Sequence, residues 1–247
     1  MKQVPLAFAL MSRRSKKDYK KVLKSLKKRL PSRAANVREM VVDFEVGLWG
    51  AIHTVFGVRV RGCLYHWTQA VWRKCQELGL QVPYTSDEAV NSYIRRLMCL
   101  PFLPGEHIRP AFDIMAEKAS NTSLVNLCDY IRSTWLESTT WGTDNWSVFM
   151  QTVRTNNDVE GWHRRLNGRA GRHNVQLYNI IKLLHQEAAL VKVNMRLIKE
   201  SKMQRHQRRQ VRTVQGRLFK LWDSYRDGDI ATSNFLSACR HLVGPMS

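Results

Sequence analysis

The apolar positions follow two periods, and the change between them divides the chain. VPLAFALMS, residues 4–12, is a nearly unbroken apolar run ended by basic residues, which predicts a buried strand. KKDYKKVLKSLKKRL follows, with Tyr19, Val22, Leu23, Leu26 and Leu30 at helical spacing. They form one apolar stripe on a helix that Pro31 closes. Lys17, Lys20, Lys21, Lys24, Lys27 and Lys28 cover its other faces. In REMVVDFE, residues Met40, Val41 and Val42 predict a second short strand that ends at Asp43. EVGLWGAIHTVF sets Phe44, Leu48, Ala51, Ile52 and Val55 on one helical face. VRVRGCLYH alternates Val58 and Val60 with Arg59 and Arg61 and predicts a third strand. Strand, helix, strand, helix, strand in this order is an α/β pattern with parallel neighbours.

The period then changes. From Trp67 to about Met150 the apolar spacing is helical, broken by the turn signals PY, PFLPG and WGTDNW, with no convincing strand. Residues 157–200 continue as helix. RLIKESKMQRHQRRQVRTVQGRLFKLW predicts a basic helix with few apolar residues before Val211, and RDGDIATSNFLSACRHLV a turn and a short amphipathic helix. The chain thus divides into an α/β part at 1–66, a helical block at 67–150, a third segment at 151–190 and a basic helical tail at 191–247. It holds no internal repeat and no low-complexity linker.

At 247 residues the chain suffices for one large domain or two small ones, and 44% hydrophobic content supports a packed core. Charge changes the picture more. Forty Lys+Arg stand against 20 Asp+Glu, a net charge of +20. Such a surplus draws polyanions, nucleic acid first among them, although a solubilising surface or a ribosome-like structural role has the same composition. The five cysteines are scattered and never form CxxC, which argues against a disulfide framework and for a reducing compartment. No apolar run is long enough to span a bilayer, so no membrane partner is expected. The start, MKQVPLAFALMSRRSKK, places its basic cluster after the apolar part, the reverse of a signal peptide. RRSKK is a weak nuclear import patch.

Two acids stand out. Asp43 falls at the carboxyl end of a predicted strand, where ligands gather in open α/β sheets. Glu160 lies in RTNNDVEGWH, residues 154–163, within the first turns of a predicted helix. Hard cations such as Mg²⁺ or Mn²⁺ take oxygen ligands, and acids distant in sequence can meet to hold them. A pair of such ions activates a water or 3′-hydroxyl and stabilises the leaving oxygen at phosphorus. Asp43 equally suits a helix N-cap. Glu160 equally suits a first-turn charge behind a cap at Asn156, Asn157 or Asp158. Spacing alone leaves both open.

Around Glu160 cluster Arg154, Arg164, Arg165, Arg169 and Arg172, which suit phosphate contacts or a solvated basic face. His163 shares a helix face with Glu160. Cys63 and His66 have the spacing of half of a zinc site, but no second Cys/His pair stands at suitable spacing to complete four ligands. The pair is expected to pack near the strand end, orienting the site or touching DNA. The tryptophans could stack on bases, but core packing is the default for any one of them. The basic helices at 16–29 and 196–217 suit a DNA backbone or plain solvation. Binding through them would fall steeply with salt and show little sequence preference.

Four segments in order, PLAFALMSRRSKKDYKKVLKSL, VVDFEVGLWGAI, GCLYHWTQAVWRKCQELGL and RTNNDVEGWHRRLN, resemble the transposase domain of Mutator-like elements, the MULE family. The resemblance runs from about Val4 to about Gln186. It implies an RNase H-like α/β core interrupted by an all-helical insertion, to which 67–150 corresponds, and extended by the helical tail. It implies a DDE triad binding Mg²⁺ or Mn²⁺ for DNA strand cleavage and transfer. Asp43 matches the second acid, Glu160 the third, and Cys63-Leu-Tyr-His66 the family's CxxH motif. DNA as partner, a nuclear location and homo-oligomers are implied likewise. The family's first aspartate lies on a strand upstream of the equivalent of VPLAFALMS. Residues 1–17 contain no acid, and Asp18 falls at a helix start. The expectation is therefore a partial core lacking its first strands. The functional expectation is a transposase-derived protein whose ancestral activity this chain by itself would lack, the alternative being a non-catalytic nuclear DNA-binding or interaction module domesticated from a transposase.

Overall fold

The computed structural model describes residues 5, 7–30, 37–154, 157–171, 175–200 and 209–243; the side chains of 157–160, 192, 198–199 and 209–212 lie outside that description. Ser15 opens the first helix, α1 (Lys16–Arg29), its hydroxyl accepting from the Asp18 amide at 3.3 Å. Strand β1 (Glu39–Val42) leads through Asp43 into α2 (Val46–Val55), and β2 (Arg59–Gly62) returns parallel to β1. The register pairs Glu39 with Arg59 and Val42 with Gly62. Odd-numbered residues of both strands share a face, so Arg61 reaches across to Glu39, which accepts from its Nε and, at 2.5 Å, from its Nη2. This pairing lets Arg61 lie buried at 3% exposure. Two strands alone are marginal in water. Here α1 packs on α2, and Asn145 donates to the Val60 carbonyl at 3.1 Å.

The remainder is helical. After α3 (Leu64–Glu77) come α4 (Gln81–Ser86), α5 (Glu88–Met98), α6 (Gly105–Ala116) and α7 (Thr122–Ile131), then a wide turn at Arg132–Leu136 and the short α8 (Thr143–Trp146). Side-chain caps open two of these helices: Asp87 accepts from Ala89 N at 2.7 Å, and Asn121 from Leu124 N at 2.9 Å. An aromatic cluster joins this block to the sheet. Trp67 stacks on Trp146 with centroids 4.6 Å apart, and Phe44 meets Trp135 edge-on at 4.6 Å. Helices α9 (Asn157–Ala170), α10 (Leu177–Lys199), α11 (Arg209–Arg226) and α12 (Thr232–Cys239) follow. Among the described residues, no helix is long and apolar enough to cross a membrane.

Three expectations need correction. The strand predicted over 4–12 does not form among its described residues, which carry no regular structure and are mostly exposed. An apolar run favours burial, but a strand also needs a neighbour to take its ladder bonds, and Pro5 removes one donor. Phe8 instead stacks on Trp162 at 5.1 Å. The third strand stops at Gly62, because Cys63 caps α3 and Leu64, Tyr65 and His66 already lie in that helix. The predicted tail at 191–247 is helical over α11 and α12, and those helices pack into the core, which a basic tail pattern does not predict. Leu218, Trp222, Phe235, Leu236 and Cys239 are buried in the same core as α5, and Trp222 donates to the Phe102 carbonyl at 2.8 Å.

Candidate functional site

Three segments meet at the carboxyl ends of the strands. The Cys63 amide donates to the Val42 carbonyl at 3.0 Å, closing the ladder one residue past β2. The next amide, Leu64, donates to the Arg154 carbonyl at 3.0 Å. Arg154 thereby lies against the strand end, and α9 begins three positions further on, at Asn157. Met150, just upstream, holds φ of 56°, a left-handed conformation that non-glycine residues seldom adopt. It turns the chain out of the helical block and into this edge.

Asp43 projects at that edge with its side chain 51% exposed, and His66 Nδ1 stands 3.1 Å from its Oδ1. The CxxH spacing explains the approach. Cys63 is the cap residue of α3, so His66 falls in the first helical turn, beside the end of β1. The N-cap alternative for Asp43 is not taken, since the cap position of α2 is Glu45. The Asp43 backbone carbonyl accepts from Trp49 Nε1 at 2.8 Å and from Glu45 N at 2.8 Å. These contacts fix the backbone from which the carboxylate extends. Glu45 accepts from the Tyr19 hydroxyl at 2.7 Å. Burial, then that bond, push the Tyr19 phenol up to about 12.

Glu160 lies on α9, as expected, with its side chain outside the described residues. Asp43 offers one hard oxygen donor beside an imidazole. Among the described residues no three His, Cys, Asp or Glu side chains gather to hold a metal ion. The described residues do not make up a Mg²⁺ or Mn²⁺ site of the two-metal kind. Cys63 is buried and not placed in any zinc cluster among those residues.

The five arginines separate. Arg154 is half-buried with its guanidinium 5.6 Å from the centre of the Trp222 ring, and burial pulls its pKa down. Arg165 and Arg169, themselves exposed, pair with the buried Glu187 of α10 at 2.8 Å and 2.6 Å. Trp162 donates to the same carboxylate at 2.7 Å. Arg164 and His163 are exposed. Arg172 lies outside the described residues. Glu187 was missed from sequence. An acid at a half-apolar helix position opposite several arginines was its one visible signal. Arg61 was missed likewise, because alternation marks it as outward-facing.

Compared with protein-family models, curated proteins and solved structures, the chain finds no match.

Proposed function

We propose that the chain descends from a MULE transposase and acts in the nucleus as a DNA-binding protein, with β1, α2 and β2 as the remnant of an RNase H-like sheet. The observation that carries this reading is the meeting, at one parallel-strand edge, of Asp43, the Cys63–His66 turn and the segment that enters the Glu160 helix. Those are the motifs on which the resemblance rests, and they are far apart in sequence. A surplus of 20 positive charges supports DNA as the partner.

The ancestral reaction is metal-dependent strand cleavage and transfer, with Asp43 and Glu160 as inherited ligands. Residues 5–42 hold two acids, and both are otherwise engaged among the described residues. Asp18 accepts from Ser15 Oγ at 2.5 Å, and Glu39 pairs with Arg61. A third carboxylate does not join Asp43 from there. The reading for residues 1–247 is accordingly binding without cleavage.

The test is duplex-DNA binding, followed by anisotropy, alongside a cleavage assay in Mg²⁺ or Mn²⁺. The parent chain should bind with steep salt dependence and cut nothing. Asp43→Asn and Glu160→Gln should bind as the parent does. Metal-dependent cleavage abolished by Glu160→Gln would restore the transposase as a working enzyme. No DNA binding at low salt would end the reading altogether.

A further inference from the structure

The arginines around α9 are the obvious phosphate ligands, but the structure commits three of them elsewhere: Arg165 and Arg169 to Glu187, and Arg154 to Trp222. Arg164 stays exposed, but the longest ordered stripe of exposed charge lies on α1. Its Lys17, Lys21, Lys24 and Lys28 are all exposed, and they recur at alternating steps of four and three residues. At about 100° per residue these four fall within a sector of roughly 60°. Tyr19, Val22, Leu23 and Leu26, the half-buried positions, centre about 180° away. Among the described residues none of the four lysines has a salt-bridge partner. The one acid on the helix, Asp18, is turned back onto Ser15.

The helix is also held firmly. Tyr19 bonds to Glu45 at 2.7 Å near its start, and Lys27 Nζ donates to the Val55 carbonyl at 2.6 Å near its end. Gly47 lets the chain pass closely, since a Cβ there would stand 2.9 Å from the Arg14 carbonyl oxygen. Glu45 is two residues past Asp43, so the start of α1 adjoins the strand edge. Exposed Arg13 and Arg14 continue the basic run there.

We propose that α1 is the rail for one phosphate backbone of duplex DNA, with Lys17, Lys21, Lys24 and Lys28 facing successive phosphates and Arg13 and Arg14 leading the strand toward Asp43. The stripe is about 16 Å long at ~1.5 Å per residue. One strand of B-DNA carries about five phosphates over that axial length. A helix pinned at both ends needs no backbone ordering on binding, so only the lysine side chains lose freedom. Contacts of this kind carry no sequence information. The proposal rests on the DNA-binding reading above.

The test is a salt series of anisotropy titrations on mixed-sequence duplex DNA with the full chain. One variant carries Lys17→Gln, Lys21→Gln, Lys24→Gln and Lys28→Gln. A second removes as much charge elsewhere, through Arg73→Gln, Lys118→Gln, Lys182→Gln and Lys220→Gln, all exposed. Lysine and glutamine have similar helix propensity, so both variants should fold, and circular dichroism checks that. The α1 variant should lose about 3 to 4 units of the log–log salt slope and at least about tenfold in affinity, and the second variant far less. Equal losses in both variants would reduce the effect to net charge and overturn the proposal. An unchanged slope in the α1 variant, with the parent binding normally, would overturn it while leaving the DNA-binding reading intact. Failure of the parent to bind would remove both.

Discussion

Gly62 and Phe44 decide the shape of the strand edge between them. Gly62 ends β2, Phe44 follows Asp43, and a Cβ at 62 would overlap the Phe44 ring. That ring has no room to retreat, because Trp135 and Trp141 meet it edge-on at 4.6 Å and 5.5 Å. Gly62→Ala should therefore cost about 1–3 kcal/mol, as overpacking of a filled core does. A urea melt reads this directly, and an unchanged midpoint would mean that the aromatic cluster yields. The position was readable as a strand residue. Its need for glycine was not, since the atom that forbids a side chain comes from 18 positions earlier.

At the scale of elements, α9 and α10 are joined through one buried acid. Trp162, Arg165 and Arg169 lie on one face of α9, and all three donate to Glu187, whose side chain is 2% exposed. Burial pushes the Glu187 carboxyl up, but the hydrogen bonds from Arg165, Trp162 and Arg169 outweigh it and hold the pKa below its ordinary value. A carboxyl held low in the folded state contributes stability that is complete above its unfolded pKa. That contribution is lost as pH falls through the lower, folded value. Acid should thus loosen the α9–α10 junction below the ordinary carboxylate range. Glu187→Gln should cost about 2 kcal/mol at neutral pH, the worth of charge-assisted bonds lost, and remove that acid transition. Amide exchange in 157–170 against pH is the measurement. An identical acid limb in the variant would show that Glu187 is not the group responsible. α9 and α10 themselves were legible from helical spacing. The assignment of Arg165 and Arg169 to phosphates was not secured, because a helix pattern does not reveal which side another helix will cover.

For the molecule as a whole, the segment after α10 closes the core that the helical block begins. Trp222 is fully buried against Phe102 and Phe149, at 6.1 Å and 5.9 Å between centroids. Arg95 donates to the Val243 carbonyl at 2.8 Å, and Arg240 reaches Ser92 on α5. Trp222→Ala should cost about 3–5 kcal/mol, the range for a large aromatic removed from a core. A loss near zero in chemical denaturation would return these residues to the status of an appendage. Trp222 also lies beneath the Arg154 guanidinium, so the substitution should disturb the strand edge as well as the block.

Periodicity and punctuation by themselves determined α1, the β1–α2–β2 unit, the strand-free stretch from α3 to α8 and the start of α9. Each of those depends on neighbours within a few positions: an apolar stripe, a period, a proline or glycine at a turn. Charge composition likewise pointed to a polyanion without any fold. Tertiary structure alone decided what each exposed-looking residue does. It left the apolar run after Val4 without a ladder among its described residues, because pairing needs a second chain segment. It buried Arg61 on Glu39 and drew two of the α9 arginines onto Glu187, because a charge settles where its counter-charge lies in space. It brought Asp43, His66 and Arg154 to one edge and left the α1 lysines facing solvent. Which cations remain available to a partner follows from packing, and the order of residues does not encode it locally.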